Sequence, residues 1–196
     1  MADETRKPGQ PDAIPPGLAR LVAQAGEAAK ARPVERWDPP YCGESDMEIA
    51  GDGTWFYRGS LIGREALVRL FASILRREPD GRHVLVTPVE KLGISVADAP
   101  FLAVEVGADG EGPDRRFTFR TNAGDIVAAG PDHPLRFETE PGTAGLKPYV
   151  RVRGGLEALA TRAVMHEMVA MAEERDGVPG LWSNGAFFAF PASSGA

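Results

Sequence analysis

The chain has 196 residues, 43% of them hydrophobic, and a formal net charge of −6 at pH 7. This length suits one domain or two small ones, and the apolar content is enough to fill a core. A net acidic chain is a poor candidate for binding duplex nucleic acid, which needs many basic side chains facing phosphates. Because Cys42 is the one cysteine, no disulfide can form within the chain and a cysteine-based metal cluster is excluded.

The sequence contains no segment typical of a membrane protein. No apolar run approaches the roughly 20 residues that a spanning helix needs. The first residues, MADETRKPGQPDAIPPG, lack the apolar core of a signal peptide. We therefore expect a soluble cytoplasmic protein that has neither a membrane nor duplex nucleic acid as a partner.

Residues 1–40 differ from the rest of the chain. Prolines punctuate them at Pro8, Pro11, Pro15, Pro16, Pro33, Pro39 and Pro40, so the ends of this arm are expected to be irregular. Between the prolines, residues 17–31 place Leu18, Leu21, Val22 and Ala25 on one helical face. The pattern predicts a short helix docked on the body of the protein.

A first α+β domain is predicted over residues 41–96. The pair Asp52-Gly53 lies between apolar runs and favours a hairpin, because glycine accepts the positive φ of a tight turn. Arg58-Gly59 is expected to make the next turn. Apolar residues at helical spacing then predict a helix with one buried face, formed by Leu67, Leu70, Phe71, Ile74 and Leu75. A Pro-Asp-Gly sequence ends that helix, and HVLVTP follows as a strand.

A second α+β domain, richer in strands, is predicted over residues 97–196. The runs FLAVEV, RRFTFRT, DIVAAG and LRFETE are typical of strands, and Gly154-Gly155 turns the chain between two more. Thr161 can cap a helix through its hydroxyl. The buried face of that helix is expected to carry Val164, Met165, Met168, Val169 and Ala172. Asn184-Gly185 then predicts a last hairpin.

The two halves repeat a pattern of hairpin, helix and strand. Arg64 corresponds to Arg162 and Leu67 to Met165, and the turn Asp80-Gly81 is matched with Asn184-Gly185. We interpret this as an internal duplication of a hairpin–helix–strand unit. Because few residues are identical between the copies, the alternative is that the shared order arose by chance or is common to α+β proteins in general.

Several long motifs resemble one protein family. The stretches TWFYRGSLIGREALVRLFASILRRE, LVTPVEKLGISVADAPFLAVEV, FRTNAGDIV, HPLRFE, KPYVRVRGGLEALATR and WSNGAFFAFP occur in that order. Together they resemble domain of unknown function 1285, an uncharacterised bacterial family, over about residues 40–191. The resemblance implies two related α+β domains, the second similar to a pleckstrin-homology fold. It also implies a ligand site between the domains, nucleotide binding and a role in signalling.

No signature of metal binding or catalysis occurs in the sequence. The histidines are His83, His133 and His166, and none has a second histidine one helical turn away. Cys42 has no local base and is expected to be a small buried apolar group. No P-loop follows a strand. We therefore predict no catalytic residue, metal or cofactor.

Two polar segments are candidates for binding a ligand. Glu90 and Lys91 follow a strand in the connection between the predicted domains, where a lysine could contact a phosphate or a carboxylate. Arg120, Thr121 and Asn122 gather donors and acceptors at the end of another strand, and an arginine can hold an anion with two parallel hydrogen bonds. Turn chemistry alone also explains the asparagine.

A second group of candidates consists of arginines near turns and helix starts. Arg58 and Arg64 flank the first short strand, and Arg153 and Arg162 occupy comparable places in the second half. They could line a shared cleft, or their stems could cover the edge of a sheet. The leading hypothesis is a non-catalytic module that binds a small anion, such as a nucleotide, between the halves. The alternatives are an enzyme with Glu90 or Asp125 as base, and a protein-interaction adaptor.

Overall fold

The computed structural model describes residues 32–140, 142–143 and 145–192. The helix predicted over residues 17–31 lies outside these residues. From the rest of the arm, a 3₁₀ turn at Val34–Arg36 buries Val34. In the described part of the chain, no helix is both long and apolar enough to cross a bilayer.

The first half forms a six-stranded sheet with one helix. Its strands are β1 (Tyr41–Ile49), β2 (Trp55–Tyr57), β3 (Ser60–Leu61), β4 (Leu75–Arg77), β5 (His83–Val86) and β6 (Lys91–Val96). Helix α1 (Glu65–Ser73) connects β3 to β4. The helix ends earlier than the apolar spacing predicts, since Leu75 already belongs to β4. A fully buried leucine suits a helix face and a strand equally, so spacing could not place this boundary.

The second half contains another six-stranded sheet. Its strands are β7 (Phe101–Asp109), β8 (Arg116–Thr121), β9 (Ile126–Ala128), β10 (Leu135–Thr139), β11 (Leu146–Arg153) and β12 (Leu156–Ala160). Helix α2 (Arg162–Ala170) follows and packs against β7, β11 and β12. A small third sheet consists of β13 (Glu173–Arg175), β14 (Val178–Ser183) and β15 (Ala186–Ala189).

Local chemistry sets the ends of α2 and the last hairpin. The Thr161 hydroxyl accepts a hydrogen bond from the Val164 amide, as the predicted cap requires. Asn184 and Gly185 both have positive φ and connect β14 to β15, which confirms the predicted turn. On α2, Val164 and Met168 are buried, but Val169 is 40% exposed, so the buried face is narrower than predicted.

The two large sheets have the same strand connectivity. In the first, β1-β2-β3 and β4-β5-β6 are antiparallel meanders, joined at the centre by the parallel pair β1 and β6. In the second, β7-β8-β9 and β10-β11-β12 are joined in the same way by β7 and β12. Strands β1 to β6 of the first sheet therefore correspond, in the same order, to strands β7 to β12 of the second.

The unit predicted from the sequence occupies different places in the two halves. Hairpin β2–β3, before α1, lies at the edge of its sheet, whereas β12, before α2, is central. The turn that follows α2 is Asp176-Gly177, between β13 and β14, so Asn184-Gly185 is one hairpin too late to match Asp80-Gly81. A similar order of elements along the chain does not imply the same strand partners, because pairing is set by contacts distant in sequence.

The described residues thus form a two-domain, mostly β fold with two nine-residue helices. One cluster of buried apolar residues includes members of both halves, among them Phe71 of α1 and Phe101 of β7. Cys42, expected to be buried, is exposed. The first residues of β1 face solvent, and the strand becomes alternately buried only from Ser45 onward.

Candidate functional site

A cleft of about 200 Å³ lies where the two halves meet. One wall is formed by α1 and the other by the turn between β8 and β9. The described residues that line it include three arginines and one aspartate, and they are Arg32, Arg69, Ala72, Ser73, Ala123, Gly124, Asp125 and Arg153. The excess of positive charge makes this cleft suited to an anion.

Arg153 crosses the boundary between the halves. Its Nη1 donates to the carboxylate of Asp125, and its Nη2 donates to the Ala72 carbonyl oxygen at the end of α1, 2.7 Å away. The guanidinium also lies over the ring of Phe101, 4.9 Å from the centroid. Three contacts hold Arg153 in place, so it is suited to fix the position of the cleft walls.

The other two arginines are less constrained. Arg69 forms an ion pair with Glu65 on the exposed face of α1, where such pairs are weak and readily rearranged. The Nε atom of Arg32 is buried and has no hydrogen-bond partner in the described residues. A buried donor without a partner is unfavourable, and an anion entering the cleft would supply an acceptor.

The predicted segment Arg120–Asn122 leads into the turn that forms one wall. Thr121 is buried, and its Oγ1 accepts a hydrogen bond from the Asp125 amide at 3.0 Å. The Asn122 side chain accepts a hydrogen bond from the Leu102 amide at 3.0 Å. Its Nδ2 also lies close to Gly53 of the first half, so close that a Cβ at this glycine would be only 2.8 Å from it. Thr121 and Asn122 thus shape the turn and its contact with the first half, although neither side chain lines the cleft.

Arg120 does not line the cleft either. It pairs with Glu105 across strands β7 and β8 on the exposed face of the sheet. The hydrogen bond from Arg120 lowers the pKa of Glu105 below its ordinary value. Sequence reasoning could not identify this partner, because the two residues meet only through strand pairing.

Lys91 belongs to a partly buried ion network in the first half. Its Nζ donates to Glu78, 3.1 Å away, and both side chains are 15% exposed. Arg76 donates to the same carboxylate and to the carbonyl oxygens of Val34 and Trp37. Lys91 is thus already paired. Its neighbour Glu90 has a buried Oε1 with no partner in the described residues, and it does not border the cleft.

Neither Arg58 nor Arg64 borders the cleft. Arg58 pairs with Asp46 at 3.0 Å and turns the chain with positive φ between β2 and β3. Arg64 precedes α1 and borders an apolar cavity that is separate from the cleft. The seven predicted binding residues are therefore distributed over several surfaces and do not form a single group.

The network around Glu78 predicts a dependence of stability on pH. Burial opposes ionisation, but hydrogen bonds from Arg76 and Lys91 outweigh it, so the pKa of Glu78 lies below its ordinary 4.5. A lowered pKa in the folded state adds stability above the unfolded-state pKa, and this stability is lost as pH falls through the folded value. We expect the free energy of unfolding, measured by urea titration from pH 6 to about pH 3, to fall less steeply for Glu78→Gln than for wild type. The same dependence of the free energy of unfolding on pH in both proteins would contradict this prediction.

A second cavity of about 180 Å³ also lies between the halves, but its carboxylates outnumber its arginines. Its ionisable side chains are Arg77, His83, Arg136, Asp98, Glu138, Glu157 and Tyr149. Arg136 pairs with Glu157 and stacks on Tyr149. Burial, with the charge of Arg77, lowers the pKa of His83. The excess of negative charge makes this cavity less suited to an anion than the arginine-lined cleft.

Sequence reasoning missed Arg32 and Arg69 as candidate site residues. Arg69 lies in a helix that the sequence marks chiefly by its apolar face, and Arg32 lies in the proline-rich arm. The spacing of Arg69 and Ser73, one helical turn apart, was an available signal that they share a face. Among the described residues, no group of three or more potential ligands could hold a metal ion.

Comparison with known proteins places the chain in a family. The model of domain of unknown function DUF1285, N-terminal domain, matches residues 32–99, and the C-terminal domain model matches residues 100–190. A DUF1285 family protein from Silicibacter pomeroyi DSS-3 has a similar crystal structure, with 49% identity and a TM-score of 0.80 over 87% of this chain and 93% of that chain. One from Shewanella baltica OS155 has 26% identity and a TM-score of 0.50 over 64% and 91%. No curated protein matches. The chain belongs to the DUF1285 family, as its motifs predict.

Proposed function

We propose that the protein binds a small anion carrying a phosphate or carboxylate, such as a nucleotide, in the cleft between its two halves. It would act there as a non-catalytic ligand-sensing module in cytoplasmic signalling. The observation that carries the proposal is the cleft lined by Arg32, Arg69 and Arg153 against one acid, with a buried Arg32 Nε that has no partner among the residues that the structure describes. Arginine favours this role because its planar guanidinium matches the oxygens of phosphate and carboxylate.

The size of the cleft restricts how such a ligand would bind. A volume of about 200 Å³ is below the roughly 300–1,000 Å³ of pockets that enclose whole small molecules. A phosphate group would fit among the arginines, and a nucleoside attached to it would extend outside the cleft. We therefore expect the phosphate to supply most of the affinity and the base to supply little.

We also infer an internal duplication, of six strands and not of the hairpin–helix–strand unit. Its support is that β1 to β6 and β7 to β12 share one connectivity, including the central parallel pair. The second sheet, with α2 packed on β7, β11 and β12, is the part that we compare with a pleckstrin-homology fold. In this view the cleft is a site that arose where the two copies met.

Calorimetry and thermal unfolding of the full chain can test the proposal. The probes are inorganic phosphate, AMP, GMP and adenosine, the last of which lacks a phosphate. We expect phosphate and the nucleotides to bind without turnover and adenosine not to bind. At about one hundred times the Kd, a bound ligand should stabilise the protein by about 2.7 kcal/mol.

Matched variants locate the site. Arg32→Gln and Arg69→Gln should each weaken nucleotide binding about tenfold or more, because each removes a charged hydrogen-bond donor. Arg82→Gln removes a similar charge from an exposed turn and should leave binding unchanged. Arg120→Gln and Lys91→Gln test the residues that the sequence favoured. If only Arg120→Gln and Lys91→Gln lose nucleotide binding, the ligand binds near those residues and not in the cleft. Formation of a product from the nucleotide would favour an enzyme. Equal binding of adenosine would refute the anion site.

A further inference from the structure

An apolar cavity of about 320 Å³ lies between the β2–β3 hairpin and α1. Its described lining is mostly apolar and consists of Met47, Tyr57, Ser60, Leu61, Ile62, Gly63, Arg64, Leu67 and Phe71. The volume is at the lower end of the range for cavities that bind small molecules. The anion cleft contacts α1 through Arg69 and Ala72 instead, so the helix separates two chemically different sites.

The cavity has a buried floor and an open rim. Met47 of β1 and Phe71 of α1 are buried and form the floor. Tyr57 and Leu67 are half-buried and form walls. At the rim, Leu61 of the two-residue edge strand is 64% exposed, which leaves a large apolar side chain in water beside the opening. A ligand with an apolar chain would remove both the walls and this leucine from water.

A positively charged side chain, that of Arg64, lies at the rim of this apolar cavity. Arg64 is exposed, directly precedes α1 and has no ion pair or side-chain hydrogen bond within the described residues. The nearest acid in sequence, Glu65, is paired with Arg69. The Arg64 side chain does not cap α1, so the helix does not occupy its guanidinium. The lining therefore offers a polar partner at one end and hydrocarbon elsewhere.

We propose that this cavity binds an unbranched medium-chain alkanoate. The alkyl chain would fill the space between Met47, Leu67 and Phe71, and the carboxylate would pair with Arg64 at the rim. Charge complementarity selects the head group, since a guanidinium binds a carboxylate with two parallel hydrogen bonds. The apolar lining selects the chain, and the volume restricts it to one of medium length.

Calorimetric titration of the full chain with hexanoate, octanoate and decanoate tests the proposal. Each added methylene should tighten the Kd by about fourfold until the cavity is full, from the free energy of burying a methylene. Octanol has the same chain without the charge and should bind about tenfold more weakly than octanoate. Equal affinity for the three chain lengths, or for octanoate and octanol, would overturn the proposal.

Two variants and a control complete the test. Arg64→Gln should reduce octanoate affinity to that of octanol and leave octanol binding unchanged. Arg82→Gln, which removes a similar exposed charge elsewhere, should change neither. Leu67→Trp should fill the cavity and abolish binding of both ligands.

If Leu67→Trp does not fold, octanoate binding to Arg64→Gln decides the question, and an unchanged affinity of Arg64→Gln for octanoate overturns the proposal. Self-association that Leu61→Asp abolishes, without alkanoate binding, would assign this surface to a second copy of the chain.

Discussion

Phe117→Ala is expected to lower the free energy of unfolding by about 3–5 kcal/mol. Phe117 in β8 has no exposed surface, and its ring packs against Phe119 with centroids 6.4 Å apart. Its backbone amide donates to the Ser183 hydroxyl of the third sheet, so the residue lies where two sheets meet. Removing the ring would leave a cavity that these sheets cannot close without moving. Urea denaturation at neutral pH measures the loss.

The matched control for this variant lies on the neighbouring strand. Ile126 in β9 is 70% exposed, so Ile126→Ala removes apolar atoms that are already in water. We expect it to change stability by no more than about 0.5 kcal/mol. Similar losses in the two variants would show that β8 does not contribute to a packed core as described.

Arg76→Ala is expected to lower the free energy of unfolding by about 3 kcal/mol or more. The side chain is almost fully buried, and its Nη1 donates to the carbonyl oxygens of Val34 and Trp37 at 2.9 and 2.6 Å. The variant would remove the Arg76 donor from both carbonyls, leaving Val34 with the Trp37 amide alone, and would leave Glu78 with Lys91 alone. Because burial makes unpaired polar groups costly, the loss should exceed that from an exposed pair. Chemical denaturation followed by tryptophan fluorescence measures it.

Arg82→Ala is the control for Arg76→Ala. Arg82 pairs with Asp80 at a similar sequence separation, but both side chains are more than half exposed. Exposed pairs contribute about 0–1 kcal/mol, so this variant should remain close to wild type. If Arg76→Ala were as stable as Arg82→Ala, the residues before β1 would not depend on the network for their position.

Charge and position in the sequence identified the polar segments but not their partners. Lys91 and Arg120 were sensible choices for an anion, yet they pair with Glu78 and Glu105, which strand pairing brings beside them. Conversely, Arg32 and Arg69 are far apart in the chain and share one cleft. The apolar cavity includes Arg64, a residue that the sequence did favour, but next to hydrocarbon and not within the polar cleft.

The sequence by itself determined the family, the turns at Arg58-Gly59 and Asn184-Gly185, the cap at Thr161 and the alternation of most strands. These features depend on backbone preferences and side chains within a few residues, so they can be derived locally. Only the tertiary structure decided the parallel pairs β1–β6 and β7–β12 and the arginines that face the cleft. Those contacts join residues tens of positions apart, and nothing in a local pattern distinguishes one distant partner from another.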